Sequence, residues 1–211
     1  MHSHALFSVA ERISAWGKMP PVPQPSTRGR LLVATPPLVD PHFDRTVVYM
    51  LEHHQEGALG VVLNRPIESP SIPVLGLGAW EAAMAEPTTV FSGGPVSPEA
   101  LIAVGHRSSG ASTDHDEGWG GVSDCVGTVD ISLQPEEFDP PVDALRLFAG
   151  YSGWAPGQLD AELAAHAWIV VSAEPNDMFT SEPSRLWRAV LARQGGRVAW
   201  LAHAPTDLSA N

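Results

Sequence analysis

One cysteine in 211 residues, Cys125, removes two classes of chemistry at once. A single thiol cannot close a disulfide within the chain or build a thiolate zinc site, so neither dithiol redox chemistry nor a zinc finger is available. Lysine is equally scarce, one residue against eleven arginines. No apolar run reaches the roughly 18 to 20 residues that cross a bilayer, and no basic start precedes an apolar segment in the manner of a secretory signal. These absences predict a cytoplasmic protein. Only 17% of residues are charged while 44% are hydrophobic, the balance of a globular chain and not of a disordered one, and the length suits one ordinary domain.

The net charge is −12, and it is unevenly spread. From His106 to Asp143 nine acidic residues meet one basic residue, Arg107, a local charge of −8. Affinity for nucleic acid comes mainly from cations set against phosphates, so direct contact with DNA would need a separate basic surface. The one concentration of positive charge is Arg185, Arg188, Arg193 and Arg197. At helical spacing these form a small stripe, best read as a solvated face with ion pairs.

Residues 1–28 read as an arm or linker: an amphipathic stretch, Ala5 to Trp16, is followed by the proline run Met19 to Pro25, whose rings hold it extended. The domain covers 29–211. Apolar runs at Leu31–Thr35, Thr46–His53 and Gly57–Asn64 predict three strands, the last two joined across His54-Gln55-Glu56-Gly57 as a hairpin. Further strands are expected at Thr88–Phe91, Leu101–Gly105, Cys125–Ile131, Ala144–Ala149 and Trp168–Val171. Helices are expected around Leu75–Met84, at Gln158–Ala165 with Leu159, Leu163 and His166 on one face, and at Ser184–Gln194 with Leu186, Trp187, Val190 and Leu191 inward. Gly150 to Trp154 reads as a turn. Strands joined partly by hairpins and partly by helices imply an α+β fold: a compact single domain with a mixed sheet flanked by helices.

Polar residues gather at the ends of the apolar runs. Asp40, His42 and Asp44 alternate, the pattern a divalent metal would use in an extended chain, but Pro41 argues for a turn in which Asp40 caps the segment and Asp44 or Glu52 pairs with Arg45. Glu52 beside His53 has the elements of acid/base chemistry; a structural hydrogen bond across the hairpin is the simpler reading. His53 and His54 face opposite ways on a strand, so only one can join a site. Ser152 nearly fits the strand, nucleophile, helix turn of hydrolases, with Asp177 and His203 following in order, yet the glycine spacing is wrong and the remaining chain is short. Gly93-Gly94-Pro95 reads as a tight turn before it reads as an anion loop. Asp114, His115, Asp116 and Glu117 are a charge run in a loop, and Trp119 in that polar segment is expected to cover a groove or meet a partner.

The blocks Leu31-Leu32-Val33-Ala34-Thr35-Pro36, Asp40 to Val48, Glu52-His53 with Gly57 to Pro66, Gly93-Gly94-Pro95-Val96, Gly150 to Trp154 with Gly157-Gln158-Leu159 and Glu162, and the closing Pro205-Thr206-Asp207 with Asn211 resemble the AlgH/YqgE family of bacterial proteins. The resemblance spans roughly Gly29 to Asn211. It implies a barrel-like mixed sheet and a label of transcriptional regulator, and it supplies no catalytic residues. The chain departs from shorter members in its proline-rich arm and acidic insert, and Ser152 stands where alanine is expected.

No complete nucleophile, metal cage or phosphate loop can be assembled from these groups. The expectation is a non-enzymatic regulatory or interaction domain without cofactor or metal. Its recognition surface is expected to use Asp40, His42, Arg45, Glu52, His53, Asn64, Gly93 and Gly94. The alternative is a small-ligand binder or enzyme with a polar pocket lined by the first six of these, and direct DNA binding ranks third. The expected partner is another protein, neither nucleic acid by direct contact nor a membrane, with self-association into a homo-oligomer left open.

Overall fold

The computed structural model describes residues 26–36, 38, 40–68, 72–108 and 117–204. The proline-rich arm up to residue 25, Asp114, His115 and Asp116 of the acidic run, and the closing block 205–211 lie outside the described residues.

Nine strands form the sheet: β1 (Arg30–Ala34), β2 (Val47–His54), β3 (Gly57–Val62), β4 (Val90–Ser92), β5 (Val96–His106), β6 (Trp119–Gly121), β7 (Val126–Val129), β8 (Ala144–Trp154) and β9 (Trp168–Ser172). Their order is β6-β7-β5-β8-β3-β2-β1-β9, with β4 lying against β8. All pairs are antiparallel except β4 with β8, so the sheet is mixed by virtue of one short parallel pair. It curls into a half-barrel. The helices are α1 (Gln158–Ala164), α2 (Pro175–Met178), α3 (Pro183–Ala192) and α4 (Gly196–Leu201), with 3-10 turns at Gly78–Ala83 and Pro135–Glu137. No helix among the described residues is long and apolar enough to cross a membrane.

Both faces of the first three strands are covered, which explains why they read as unbroken apolar runs instead of alternating ones. Leu31, Val33, Val47, Tyr49, Leu51 and Val61 turn inward onto Leu186, Trp187, Val190 and Leu191 of α3. Leu32, Ala34, Val48, Met50 and Val62 turn the other way onto Trp154, Leu159 and Trp168. Trp187 ties α3 to β1 by donating its indole N–H to the carbonyl of Ala34 at 2.8 Å. A third apolar cluster covers the other half of the sheet and contains Trp80, Phe138, Leu145 and Trp119. Trp119 thus departs from its expected role at a groove or partner contact: it is 9% exposed, on β6, beneath the guanidinium of Arg107.

The expected turn from Gly150 to Trp154 is instead the second half of β8. Ala144–Ala149 pairs with β5, and Ser152–Trp154 pairs with β3. At Gly150 the backbone takes φ 69°, and a Cβ there would stand 2.7 Å from the carbonyl oxygen of Val96. Glycine lets the strand bend and continue where any side chain would stop it. Ser152 is fully buried by this arrangement and donates to the carbonyl of Gly93 at 3.1 Å, which removes it from the exposed elbow a nucleophile needs.

Helix α1 reaches the sheet through one carboxylate. Glu162 Oε2 accepts the indole N–H of Trp154 at 2.9 Å and of Trp168 at 2.8 Å, while Gln158 donates to Oε1 at 3.0 Å. Leu159 is buried and Leu163 half-buried; His166, expected on the same face, is exposed beyond the helix end with φ 58°. Helix α3 presents Arg185 and Arg188 to solvent, but Arg193 turns back, both guanidinium nitrogens reaching Asp177 at 2.6 Å. The arginines thus form the face with ion pairs that was expected, Arg185 with Glu182 and Arg193 with Asp177, and the Asp177 that follows Ser152 in the chain is held in an ion pair.

Residues 26–29 strap the far end of β2. Ser26 donates to the carbonyl of His53 at 3.1 Å, the backbone N–H of Thr27 to His53 Nδ1 at 3.2 Å, and Gly29 N–H to the carbonyl of Met50 at 2.8 Å. Arg28 donates to the Leu51 carbonyl, lies 3.2 Å from the Glu52 carboxylate, and reaches the Gly121 carbonyl on β6. The strap thus joins β2 to the edge strand β6.

Two predictions follow from these contacts. Glu162→Leu leaves two indole donors unpaired, and chemical denaturation is expected to show a loss of about 2 kcal/mol, with Glu162→Gln losing less. His53 has its pKa pushed below 6.5 by burial, against the pull of Asp160 3.7 Å from Nε2. The unfolded chain then binds the proton more readily, so the stabilisation from neutral His53 is full above pH 6.5 and is lost as pH falls through its lowered value. The wild-type minus His53→Gln stability difference, measured by denaturation from pH 8 to 5, should shrink toward acid pH; a pH-independent difference refutes this.

Candidate functional site

The segment from Asp40 to Thr46 is a turn, not an extended strand. Asp40 Oδ1 accepts the N–H of His42 at 2.8 Å, and its carbonyl accepts from Phe43 at 3.0 Å and Asp44 at 2.8 Å. The alternating geometry a metal would need is not formed, and among the described residues no three His, Cys, Asp or Glu side chains converge as ligands. Asp40 caps the segment as its position suggested. Arg45, with φ 51°, departs from the expected pairing: it donates to the Ala204 carbonyl at 3.1 Å and lies 5.0 Å above the Trp187 ring. Glu52 pairs instead with Arg28.

Asn64 is 6% exposed, and its amide is committed to the backbone. Its Oδ1 accepts from Val47 N–H at 3.0 Å and its Nδ2 donates to the Arg45 carbonyl at 2.8 Å. It works as a clip that closes the loop over the start of β2. Arg65, the next residue, donates to the carbonyl of Asp44 and so holds the loop from outside.

Beside this loop an open cleft of about 300 Å3 is lined by His42, Val62, Arg65, Ser92, Gly94, Pro95 and Pro98. Two expected residues, His42 and Gly94, meet there. Gly94 has φ 148°, and a Cβ would lie 2.4 Å from the carbonyl carbon of Tyr151. Gly93 sits behind it, its carbonyl accepting from Val62 N–H at 3.0 Å and its N–H donating to Ala149 at 2.9 Å. The diglycine loop is therefore a close approach of backbones that floors the cleft. His42 is exposed, while Arg65 and Ser92 are half-buried. Ser92 and His42 share the wall without a hydrogen bond between them.

Glu52 and His53 are not on this surface. β2 runs between them and the loop, and six residues of strand at about 3.3 Å each separate the two ends by roughly 20 Å. There Glu52 is 8% exposed, and burial raises its pKa against the lowering pull of Arg28. His53 is engaged with Thr27, and His54 Nδ1 accepts from Glu56 N–H at 3.1 Å. The expected polar pocket of six residues is thus divided: His42 lines the cleft, Asp40, Arg45 and Asn64 build the loop behind it, and Glu52 and His53 belong to the strap.

Sequence reasoning passed over Arg65, Ser92, Pro95 and Pro98 as site residues. Arg65 carried a signal, a charged residue directly after the apolar run of β3 and before Pro66. The others come together only because β4 and the start of β5 fold beside β8.

The comparisons with known proteins agree with one another. The AlgH-like family profile (DUF179) matches residues 31–199. A UPF0301 protein of Streptomyces coelicolor is 49% identical over 187 residues, covering 88% of this chain and 96% of that protein. A UPF0301 protein of Mycobacteroides abscessus is 40% identical over 195 residues, covering 92% and 93%. Among solved structures, protein DIP2367 from Corynebacterium diphtheriae superposes with a TM-score of 0.78 at 27% identity, over 90% of this chain and 97% of that one. The AlgH protein from Pseudomonas aeruginosa reaches 0.63 at 24% identity over 90% and 100%, a likeness of fold. With the profile covering the strands, the cleft loop and α3, and near-full-length relatives at up to half identity, the chain belongs to the AlgH-like family.

Proposed function

We propose that this protein is a non-enzymatic recognition domain that binds another protein through the cleft beside the Asp40–Thr46 loop. The observation that carries this reading is the composition of the cleft wall. Pro95, Pro98, Val62 and the Gly94 backbone offer a rigid, partly apolar surface, and Arg65 and His42 add two hydrogen-bonding groups at its rim. The surrounding polar residues, Asp40, Arg45 and Asn64, are occupied in holding the loop. Such a surface is ordered before the partner arrives, which limits the entropy lost on binding. Arginine and preorganised apolar contacts are the usual anchors of protein interfaces.

A small-ligand binder is the second reading, supported by a cleft volume at the lower end of the range for ligand pockets. Direct DNA binding has less support: Arg193 is turned toward Asp177, Arg185 lies 3.1 Å from Glu182, and the chain carries a net charge of −12. Any part in gene regulation would then run through protein contacts, in the cytoplasm.

The test compares tagged wild-type protein with His42→Ala and Arg65→Ala, each checked for fold by circular dichroism, in recovery from the host lysate. A defined protein enriched on the wild type and reduced at least about tenfold on both variants is expected, a loss of roughly 1.4 kcal/mol or more. Identical partner sets on all three proteins, or turnover of a defined substrate abolished by either substitution, would overturn the proposal.

A further inference from the structure

The side chains that line the cleft beside the Asp40–Thr46 loop carry charge of one sign. Arg65 brings a fixed positive charge, His42 and Ser92 each bring a hydrogen they can donate, and no carboxylate is among the lining groups. Val62, Pro95 and Pro98 are apolar. Asp40 and Asp44 belong to the same loop but do not line the cleft, and Asp40 Oδ1 is engaged with the N–H of His42 at 2.8 Å.

The backbone explains why these donors share one wall. Ser92 N–H donates to the Arg65 carbonyl at 2.8 Å and Ile67 N–H to the Val90 carbonyl at 3.0 Å, on either side of the antiparallel bridge between Pro66 and Phe91. Arg65 and Ser92 are therefore directly opposite each other across this short ladder, with Cβ atoms about 5 Å apart on one face. Phe91, on the other face, is buried in the core. Arg65 then reaches the carbonyl of Asp44, which holds the His42 turn beside the pair.

These donors are largely uncommitted. The Arg65 guanidinium makes that one hydrogen bond and no ion pair among the described residues, and neither the His42 ring nor the Ser92 hydroxyl has a partner there. Arg65 is also half-buried, so water satisfies its charge only in part. With 24 acidic residues against 12 basic ones, the chain has carboxylates in excess, yet none is set against this cation.

We propose that the cleft recognises an acidic segment of its partner protein. One aspartate or glutamate carboxylate docks on Arg65, Ser92 and His42, and a neighbouring apolar residue packs against Pro95 and Pro98. This rests on the protein-recognition reading of the same cleft and adds the chemistry of the partner. A planar carboxylate matches the spacing of guanidinium N–H groups and needs a single cation. Phosphorylated segments are held by clusters of arginines, and here one guanidinium stands beside a loop that carries Asp44, so a carboxylate is the better complement.

The test is selection of random octapeptides displayed on phage against the immobilised full-length protein, followed by titration of the selected peptide, labelled with fluorescein, by anisotropy. The enriched sequences are expected to share an Asp or Glu next to an apolar residue. Replacing that residue by Asn or Gln in the peptide should weaken binding to the wild-type protein at least about tenfold, a comparison that no variant's folding can disturb. Ser92→Ala should weaken it about threefold. Arg65→Glu, checked by circular dichroism, should shift the selected residue from acidic to basic, which loss of the Asp44 bond alone could not produce; if it fails to fold, the peptide replacement and Ser92→Ala decide the question. Enriched peptides without an acidic position, whose binding Arg65→Ala abolishes, would overturn this inference and leave the cleft a protein-recognition site. Tighter binding of phosphoserine than of glutamate at the selected position would overturn the carboxylate assignment. Absence of any enriched peptide, or binding that Arg65→Ala leaves unchanged, would also overturn it, while recovery of partners from the lysate decides the protein-recognition reading separately.

Discussion

Three stretches of backbone meet where side chains are missing, and the architecture depends on that contact. A Cβ on Gly93 would stand 2.2 Å from the carbonyl oxygen of Gly150, and one on Gly94 would stand 2.5 Å from the backbone nitrogen of Ser152. With glycine at 93, 94 and 150 the loop after β4 presses onto β8, and Ser152, whose hydroxyl is turned inward, locks it by bonding to Gly93. The same loop accepts from Val62 at the end of β3. β8 can therefore serve β5 with its first half and β3 with its second, joining the two halves of the sheet. The cleft is a consequence: its floor is Gly94 and Val62, and its walls are the prolines that follow.

A second theme is the use of charged and amide side chains to hold backbone. Asn64, Arg45, Arg65, Arg28 and Arg146 all donate to main-chain carbonyls in loops or at strand ends. Such groups satisfy carbonyls that no strand partner reaches, at the cost of burying polar atoms. Arginine suits the task because its several N–H groups lie in one plane, so one side chain can bridge two segments: Arg28 joins β2 to β6, and Arg146 joins the loops at Glu86 and Thr180. The chain's near-exclusive use of arginine over lysine fits that role. The clustering of polar residues at strand ends is in this light mostly a record of loop construction, which is why so few of the expected residues reach the cleft.

Sequence alone determined the α+β class, the hairpin of β2 and β3, the inward face of α3, and the family, because these rest on local periodicity, on turn residues and on ordered blocks that survive without knowledge of contacts. Asp40 as a cap was readable for the same reason: an Asx turn spans two residues. Only the tertiary structure decided that Gly150 bends a strand instead of ending it, since a bend and a turn use the same residue and differ in whether partners flank the chain on both sides. It also decided that Trp119 is core, that Arg193 belongs to Asp177, and that His42 meets Arg65 and Gly94 while His53 lies at the far end of β2. Each of these turns on which distant segments pack together, and the strand register that sets those distances is a property of the whole sheet.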